Sequence, residues 1–298
     1  MKQIKMKTKR EMAGWMFVLP WLIGLLVFFI QPIVLFFTFS FFDFEIASGG
    51  YVLKPLSDGV FTNYLFAWVN DANYPQAFAG AFKTFAYEVP IIVFFSLYMS
   101  ILLSQDFKGR GIMRTIFFLP IVVTSGAMVI VIARGVSQVN MGTGDGAGTI
   151  YDVSMLTELL INSGFPERLV DGLTVVIARV ADLVWKSSVQ ILIFLISLLA
   201  IPESYYEAAR VEGATGWEVF WKITFPVISP FIFANTVYTL ITSCMSVESG
   251  VISYVLNLAA QSYDYSVASA MMWMYFSVIL LIIALIFLLF RNKIFHSN

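Results

Sequence analysis

Cysteine, histidine and charge are scarce in this sequence, and each scarcity excludes a class of protein. The one cysteine, Cys244, cannot form an internal disulfide, and a single histidine, His296, makes no cysteine–histidine metal cluster. Charged residues make up 12% of the 298 residues, against about 25% in a typical soluble domain. The formal net charge of −1 offers no basic face for nucleic acid. We therefore expect neither a metal site nor a nucleic-acid partner.

Motifs of a catalytic or nucleotide-binding site are also missing. No Walker-type G-x-x-x-x-G-K occurs in the sequence. The glycine-rich stretch 142–148 has no predicted strand before it and no lysine after it, so we interpret it as a flexible turn. We expect no catalytic residue and no cofactor bound by this chain, so any chemistry must come from another subunit.

Long apolar runs are what the sequence has in abundance. Hydrophobic residues make up 59% of the chain, and a helix needs about 20 of them in succession to cross a membrane. Six segments qualify, at roughly 15–41, 84–104, 114–133, 173–200, 226–245 and 266–290. The first run is longer than the apolar part of a secretory signal, so we interpret it as an uncleaved span. The prediction is an all-α, polytopic protein with six transmembrane helices.

The orientation of these spans follows from the placement of lysine and arginine. With the N-terminus inside, 12 of the 18 basic residues lie in the inner segments, but only 6 of the 19 acidic residues do. We therefore expect a basic cytoplasmic N-terminus at 1–14, a transmembrane domain at 15–290 and a cytoplasmic tail at 291–298. Two sizeable loops, about 43–82 and 134–172, should lie outside, with a small amphipathic helix at 153–170.

The loop at 202–225, between the predicted spans four and five, should face the cytoplasm. We predict a short helix at 203–212, a break at Gly213 and a second short helix capped by Thr215, with Glu218 at the capping-box position. Pro226 marks the start of the next span. Such a loop is a rigid knob that fits a cleft on another protein. The alternative is a connecting loop with a surface helix.

The spacing of this loop resembles the EAA loop of ABC-importer permeases. The matching residues are Glu207-Ala208-Ala209, then Gly213, then Ile223-Thr224-Phe225-Pro226, although Phe225 stands where leucine is usual and Glu212 where aspartate is commoner. Arg114 with Phe118-Leu119-Pro120, Trp185-Lys186 and Ile201-Pro202 resemble the carbohydrate branch. The likeness is to the first-type permease subunit of the maltose and glycerol-phosphate branch.

The resemblance implies a function, a location and a set of partners. It implies EAA coupling helices between spans four and five that dock on an ATPase through Glu207, Ala208, Ala209, Gly213 and Pro226. The partners would be a second homologous permease, two cytoplasmic ABC ATPase subunits carrying ATP and Mg, and an extracytoplasmic solute-binding protein that delivers a sugar or oligosaccharide. The chain would lie in a prokaryotic cell membrane. The alternatives are a self-sufficient secondary transporter of a small polar solute, which needs inverted repeats, and a membrane anchor or receptor.

Polar residues inside the predicted spans are candidates for the substrate pathway, because they are costly in lipid. Gln190 lies in span four, and span five carries a polar stripe consisting of Asn235, Tyr238, Thr239 and Ser243. The same residue types also hold membrane helices together, so helix packing is the alternative for each. Arg179, Asp182 and Lys186 share one face of span four, and we expect them to neutralise one another.

Overall fold

The computed structural model describes residues 2–47, 50–56, 59–124, 161, 165–246 and 250–294, and most of these are helical. The elements in chain order are α1 (Lys2–Leu25), a π-turn (Leu26–Ile30), α2 (Gln31–Phe39), β1 (Phe42–Ala47), β2 (Gly50–Pro55), α3 (Thr62–Leu65), a π-turn (Phe66–Asn70), α4 (Asn73–Ser104), α5 (Arg110–Thr124), α6 (Glu167–Leu199), α7 (Glu203–Val211), α8 (Gly216–Val219), a π-turn (Phe220–Thr224), α9 (Phe225–Met245), α10 (Gly250–Ser262) and α11 (Tyr265–Ile294).

Among the described residues, five helical runs are long and apolar enough to cross a membrane. They are Gly14–Phe39, Asn73–Ser104, Gly172–Leu199, Gly216–Ser262 (apart from 247–249, which lie outside the described residues) and Tyr265–Phe290. Five of the six predicted spans fall on these runs. The other, 114–133, begins in α5, and its residues 125–133 lie outside the described part of the chain. The glycine-rich stretch 142–148 and most of the predicted amphipathic helix also lie outside it, whereas 167–170 form the first turn of α6.

The second span begins at Asn73, eleven residues before the predicted 84, because a side chain caps its polar first turn. Asp71 Oδ1 accepts hydrogen bonds from the backbone N–H groups of Asn73 (2.8 Å) and Tyr74 (3.1 Å). Its other oxygen accepts the hydroxyl of Tyr254 in α10. Burial tends to raise the pKa of Asp71, but these three hydrogen bonds outweigh it, and the pKa is lowered from its ordinary value. Hydropathy finds only the apolar part of such a helix.

Two of the π-turns end two residues before a proline. Gln31 N–H bonds Leu26 C=O five residues back, and Pro32 follows; Phe225 N–H bonds Phe220 C=O, and Pro226 follows. A proline lacks an N–H and its ring clashes with the carbonyl four residues earlier, so a widened turn relieves the clash without ending the helix. Pro226 therefore does not separate the loop from the span: helical structure is continuous from Gly216 to Met245.

A two-stranded antiparallel hairpin departs from the predicted all-α class. Phe42–Ala47 pairs with Gly50–Pro55 inside the segment that we expected to be an outer loop. The rings of Phe44 and Tyr51 stack across the two strands with centroids 5.4 Å apart, and Phe44 N–H donates to Ser266 Oγ at 2.7 Å. These contacts are cross-strand and long-range, so the periodicity of the sequence does not reveal them.

A second unpredicted element is α10, a 13-residue helix between the predicted spans five and six.

The chain divides into two compact units. The first comprises Met1–Thr84 and Cys244–Ala284. Within it, Tyr74 is fully buried and donates its hydroxyl to Met271 C=O at 2.7 Å. Asn63, also buried, donates to Ser40 C=O at 3.1 Å. These bonds satisfy polar groups that would otherwise be costly in the interior, and they join segments far apart in sequence.

The second unit comprises Phe85–Ser243 and Leu285–Asn298. One buried cluster joins α4, α5 and α6 and consists of Leu103, Phe117, Ile191 and Leu195. Another consists of Leu198, Ile201 and Ile228, with Tyr206 of α7 packed against it. The second cluster lies at the end of α6 and the start of α9, so it supports the loop between these two helices.

Candidate coupling site and intramembrane polar groups

Helix α7 presents an exposed ridge that carries two of the predicted coupling residues. Ser204, Glu207, Ala208 and Val211 follow the spacing i, i+3, i+4, i+7 and therefore share one face, and all four are exposed. Val211 is 89% exposed, a large value for an aliphatic residue. A small, partly apolar surface with one carboxylate is suited to close contact with another protein. We call these four residues the exposed ridge.

Ala209 does not share the ridge with Ala208. The resemblance implies that both alanines take part in docking, but Ala209 is only 5% exposed and faces the interior of its own chain. The reason is helical geometry, since adjacent residues lie about 100° apart around the axis. Tyr206 lies on the inner side as well, and its hydroxyl is 3.3 Å from Thr224 Oγ1. The inner face thus fixes α7 to the start of the following helix.

Gly213 ends α7 in the way its position predicts. Its φ of +73° is in the left-handed region, which favours glycine. Gly213 N–H bonds Arg210 C=O at 3.1 Å and Ala214 N–H bonds Ala209 C=O at 2.9 Å, which is the Schellman arrangement. The chain therefore reverses direction with its terminal carbonyl groups satisfied.

The predicted capping box at the start of α8 is confirmed. Glu218 N–H donates to Thr215 Oγ1 at 3.4 Å, and Thr215 N–H donates to Glu218 Oε2 at 3.0 Å. Lys222 then pairs with Glu218 at 3.2 Å. The second short helix is correctly placed, but it is not separate, because the π-turn carries it directly into α9 and past Pro226.

Three of the predicted pathway residues form a polar clamp between α6 and α9. Gln190 Nε2 donates to Thr239 Oγ1 at 3.1 Å, and Thr239 donates to Asn235 C=O at 2.7 Å. Asn235 Nδ2 donates to Gln190 C=O at 3.2 Å, which completes a ring of hydrogen bonds among the three residues. All three residues are buried, and neither Gln190 Oε1 nor Asn235 Oδ1 has a protein partner in the described chain. The clamp holds the helices on either side of the coupling loop together.

The other two predicted pathway residues lie outside this clamp. Tyr238 is 37% exposed, whereas Ser243 is buried nearer the end of α9. Tyr238 C=O accepts the hydroxyl of Thr242 at 3.0 Å. The polar stripe of α9 thus has a buried part, which contacts α6, and a part that is open in this chain.

Lys186 forms two ion pairs, of which the sequence predicts one. Its Nζ lies 3.1 Å from Asp182, as expected, and 3.0 Å from Glu88 of α4. Glu88 was missed, although a lone carboxylate inside a predicted span signals a buried partner. Together these groups hold α4 against α6 within an apolar run. No group of three or more His, Cys, Asp or Glu in the described residues is arranged to hold a metal ion.

No protein-family model matches the chain. Over 308 aligned residues it is 28% identical to the probable ABC transporter permease protein YesP of Bacillus subtilis (strain 168), covering 96% of this chain and 93% of that protein. It is 25% identical over 236 residues to the lactose transport system permease protein LacF of Rhizobium radiobacter, covering 78% and 72% respectively. The homologues of the chain are thus permeases of ABC transporters. Sugar-transport permeases are among them.

The fold of this chain also occurs in solved structures. The chain superposes with a TM-score of 0.67 and 16% identity on a chain from the crystal structure of a bacterial alginate ABC transporter in complex with an alginate pentasaccharide-bound periplasmic protein. The match covers 97% of both chains. The chain therefore has the fold of that transporter chain.

Proposed function

We propose that this chain is the permease subunit of an ABC importer that moves a sugar or oligosaccharide delivered by an extracytoplasmic solute-binding protein. The observation that carries the proposal is the similarity to ABC permeases over 96% of the chain, combined with an exposed ridge on α7 of the kind such a subunit needs. The sugar is proposed because lactose and arabinooligosaccharide permeases are among the relatives.

The proposed topology has six transmembrane helices with both termini in the cytoplasm of a prokaryotic cell. The charge distribution supports this orientation, and α5 is the described part of the third span. The loop that contains α7 and α8 then faces the cytoplasm, where ATP is. By the same charge rule, the segment 43–82 lies outside the cell, on the side from which a binding protein would approach.

In this proposal two ATPase subunits, which bind ATP and Mg, supply the free energy. One ATPase binds the exposed ridge of α7, with Glu207 opposite a basic residue. The other ATPase binds a second homologous permease. Closure of the ATPases stabilises one arrangement of the two permeases over the other, which shifts the population between outward-open and inward-open states. Movement of α7 reaches the membrane through Tyr206 and the clamp, because these contacts join the loop to α6 and α9.

The polar groups of α6 and α9 have two proposed roles in this scheme. Gln190, Asn235 and Thr239 hold the helices together in the described state. Their two unsatisfied amide oxygens are acceptors for hydroxyl groups if the helices separate during transport. Tyr238 and Ser243 are candidates for contact with the sugar on the same stripe.

The test is transport by the purified assembly in proteoliposomes. We expect the chain to co-purify in mild detergent with a second permease and ATPase subunits, and sugar uptake to require ATP inside and the binding protein outside. A chain that alone accumulates a solute against an ion gradient, without ATP, would instead be a secondary transporter.

A further inference from the structure

A hollow of about 750 Å³ lies between α7 and the turn that joins α4 to α5. It is partly open and is lined by both polar and apolar groups. Six of its lining residues are Asp106, Arg110, Leu198, Ile201, Glu203 and Arg210. All belong to the second unit of the chain.

Two charged rims face each other across this hollow. One rim is the α4–α5 turn, where Arg110 pairs with Asp106 and both side chains are largely exposed. The opposite rim is α7, where Glu203 and Arg210 are seven residues apart and share one face. Between the rims, Leu198, Ile201 and Thr224 are each 7% exposed, so the buried part of the lining is mostly apolar and carries one hydroxyl group. The formal charges of the two rims cancel.

We infer that this hollow is a second contact for the ATPase subunit, beside the exposed ridge and outside the EAA-type spacing. The inference rests on the proposed function, which places an ATPase on the ridge. An α-helix with its side chains is only about 10–12 Å across, so a protein that covers the ridge of α7 also extends over the flank that lines the hollow. The α4–α5 turn then lies at the edge of the same interface.

The lining defines the chemistry of the contact. A segment with an apolar side chain at its tip, flanked by charges of both signs, would fill the apolar base and meet both rims. An anionic lipid headgroup is less suited, because two arginines are offset by two carboxylates and leave no surplus positive charge. A polar rim around an apolar centre is the usual composition of a protein–protein interface.

The contact would give the ATPase a second point of attachment to the transmembrane helices. The turn at 105–109 connects α4 directly to α5, which begins at Arg110. Leu103 C=O accepts two hydrogen bonds from the Arg114 guanidinium, at 2.7 and 3.2 Å, so the turn is held firmly to both helices. A force applied at Asp106 is therefore transmitted to α4 and α5 as well as to α6 and α9.

Cysteine cross-linking in the assembled transporter tests the inference. The natural Cys244 is 2% exposed, so Cys244→Ala gives a background without a competing thiol. Asp106→Cys probes the hollow, Ala208→Cys probes the ridge, and Lys54→Cys on the hairpin is the control. Each variant is labelled with a thiol-reactive photo-cross-linker, whose second end inserts into any neighbouring protein on illumination, and the attached protein is identified by mass spectrometry.

The outcomes separate this inference from the proposed function. Cross-links from both Asp106→Cys and Ala208→Cys to an ABC ATPase, with none from Lys54→Cys, are expected. A cross-link from Ala208→Cys without one from Asp106→Cys overturns the second contact and leaves the proposed function intact. The absence of an ATPase cross-link from Ala208→Cys contradicts the proposed function itself.

A charge exchange provides the energetic test. The double variant Asp106→Arg/Arg110→Asp keeps the ion pair within the chain but exchanges the positions of the positive and the negative charge that face the partner. Retention of the ATPase should fall by up to about fivefold, the effect typical of exposed charges at an interface. Unchanged retention, with the chain still correctly inserted, would contradict the inference.

Discussion

Replacing Glu207 with lysine tests the proposed coupling site most sharply, because this carboxylate has no structural task among the described residues. Glu207 is exposed, and no described residue forms an ion pair with it. Exposed substitutions of this kind usually change stability by less than about 0.5 kcal/mol. We therefore expect Glu207→Lys to insert into the membrane and unfold at nearly the wild-type temperature.

The effect on assembly should be much larger than the effect on stability. Placing lysine opposite a basic residue replaces an attraction by a repulsion, which at a close interface costs about 3 kcal/mol, or roughly a 150-fold loss of affinity. The assay is the amount of ATPase subunit that stays with the affinity-purified permease in mild detergent, together with sugar uptake by cells.

Asp43→Lys is the matched control for this prediction. It makes the same change of charge at an exposed position of the hairpin, outside the loop that carries α7. It should retain most of the ATPase, and Glu207→Gln should lie between the two lysine variants. If Glu207→Lys keeps both the ATPase and uptake, the assignment of the ridge is wrong.

Three further predictions concern stability. Gly213→Ala should lower the Tm in detergent by a few degrees, because alanine at φ +73° is strained by about 1 kcal/mol. An added Cβ meets nothing within 4 Å, so no steric clash adds to this cost. An unchanged Tm would contradict this. Thr239→Val should destabilise the chain by about 1 kcal/mol, because it keeps the volume of the side chain but removes the hydroxyl that completes the clamp; an unchanged Tm would show that these hydrogen bonds do not contribute to stability. The lowered pKa of Asp71 gives stability that is present above the ordinary value of 3.8 and is lost as the pH falls through the folded value. Asp71→Asn should therefore flatten the decline of Tm below about pH 4, and superimposable pH profiles would refute this.

Local rules account for the parts of the fold that the sequence predicts well. The break at Gly213 and the cap at Thr215 each depend on residues within five positions of one another, so their spacing is sufficient. Five of the apolar runs are where hydropathy places them, since the hydrocarbon core sets a minimum length for a spanning helix.

The features that the sequence did not predict depend on contacts between distant segments. The hairpin is held by Phe44 against Ser266, and the early start of α4 depends on Asp71, which is tied to Tyr254. The pairing of Glu88 with Lys186 spans 98 positions. No local pattern encodes these partners. The burial of Ala209 beside an exposed Ala208 could, by contrast, be predicted from the helical period. Ala209 follows Tyr206 by three residues and therefore shares its inner face.

We propose that a separate ATPase moves this chain through α7. The most direct measurement is the rate at which a maleimide labels Ala208→Cys in the Cys244→Ala background, with and without bound ATPase subunits. We predict labelling at least about tenfold slower in the assembled complex, because the ridge is then covered, and no change at Lys54→Cys. Equal rates for Ala208→Cys in the two states would contradict the claim.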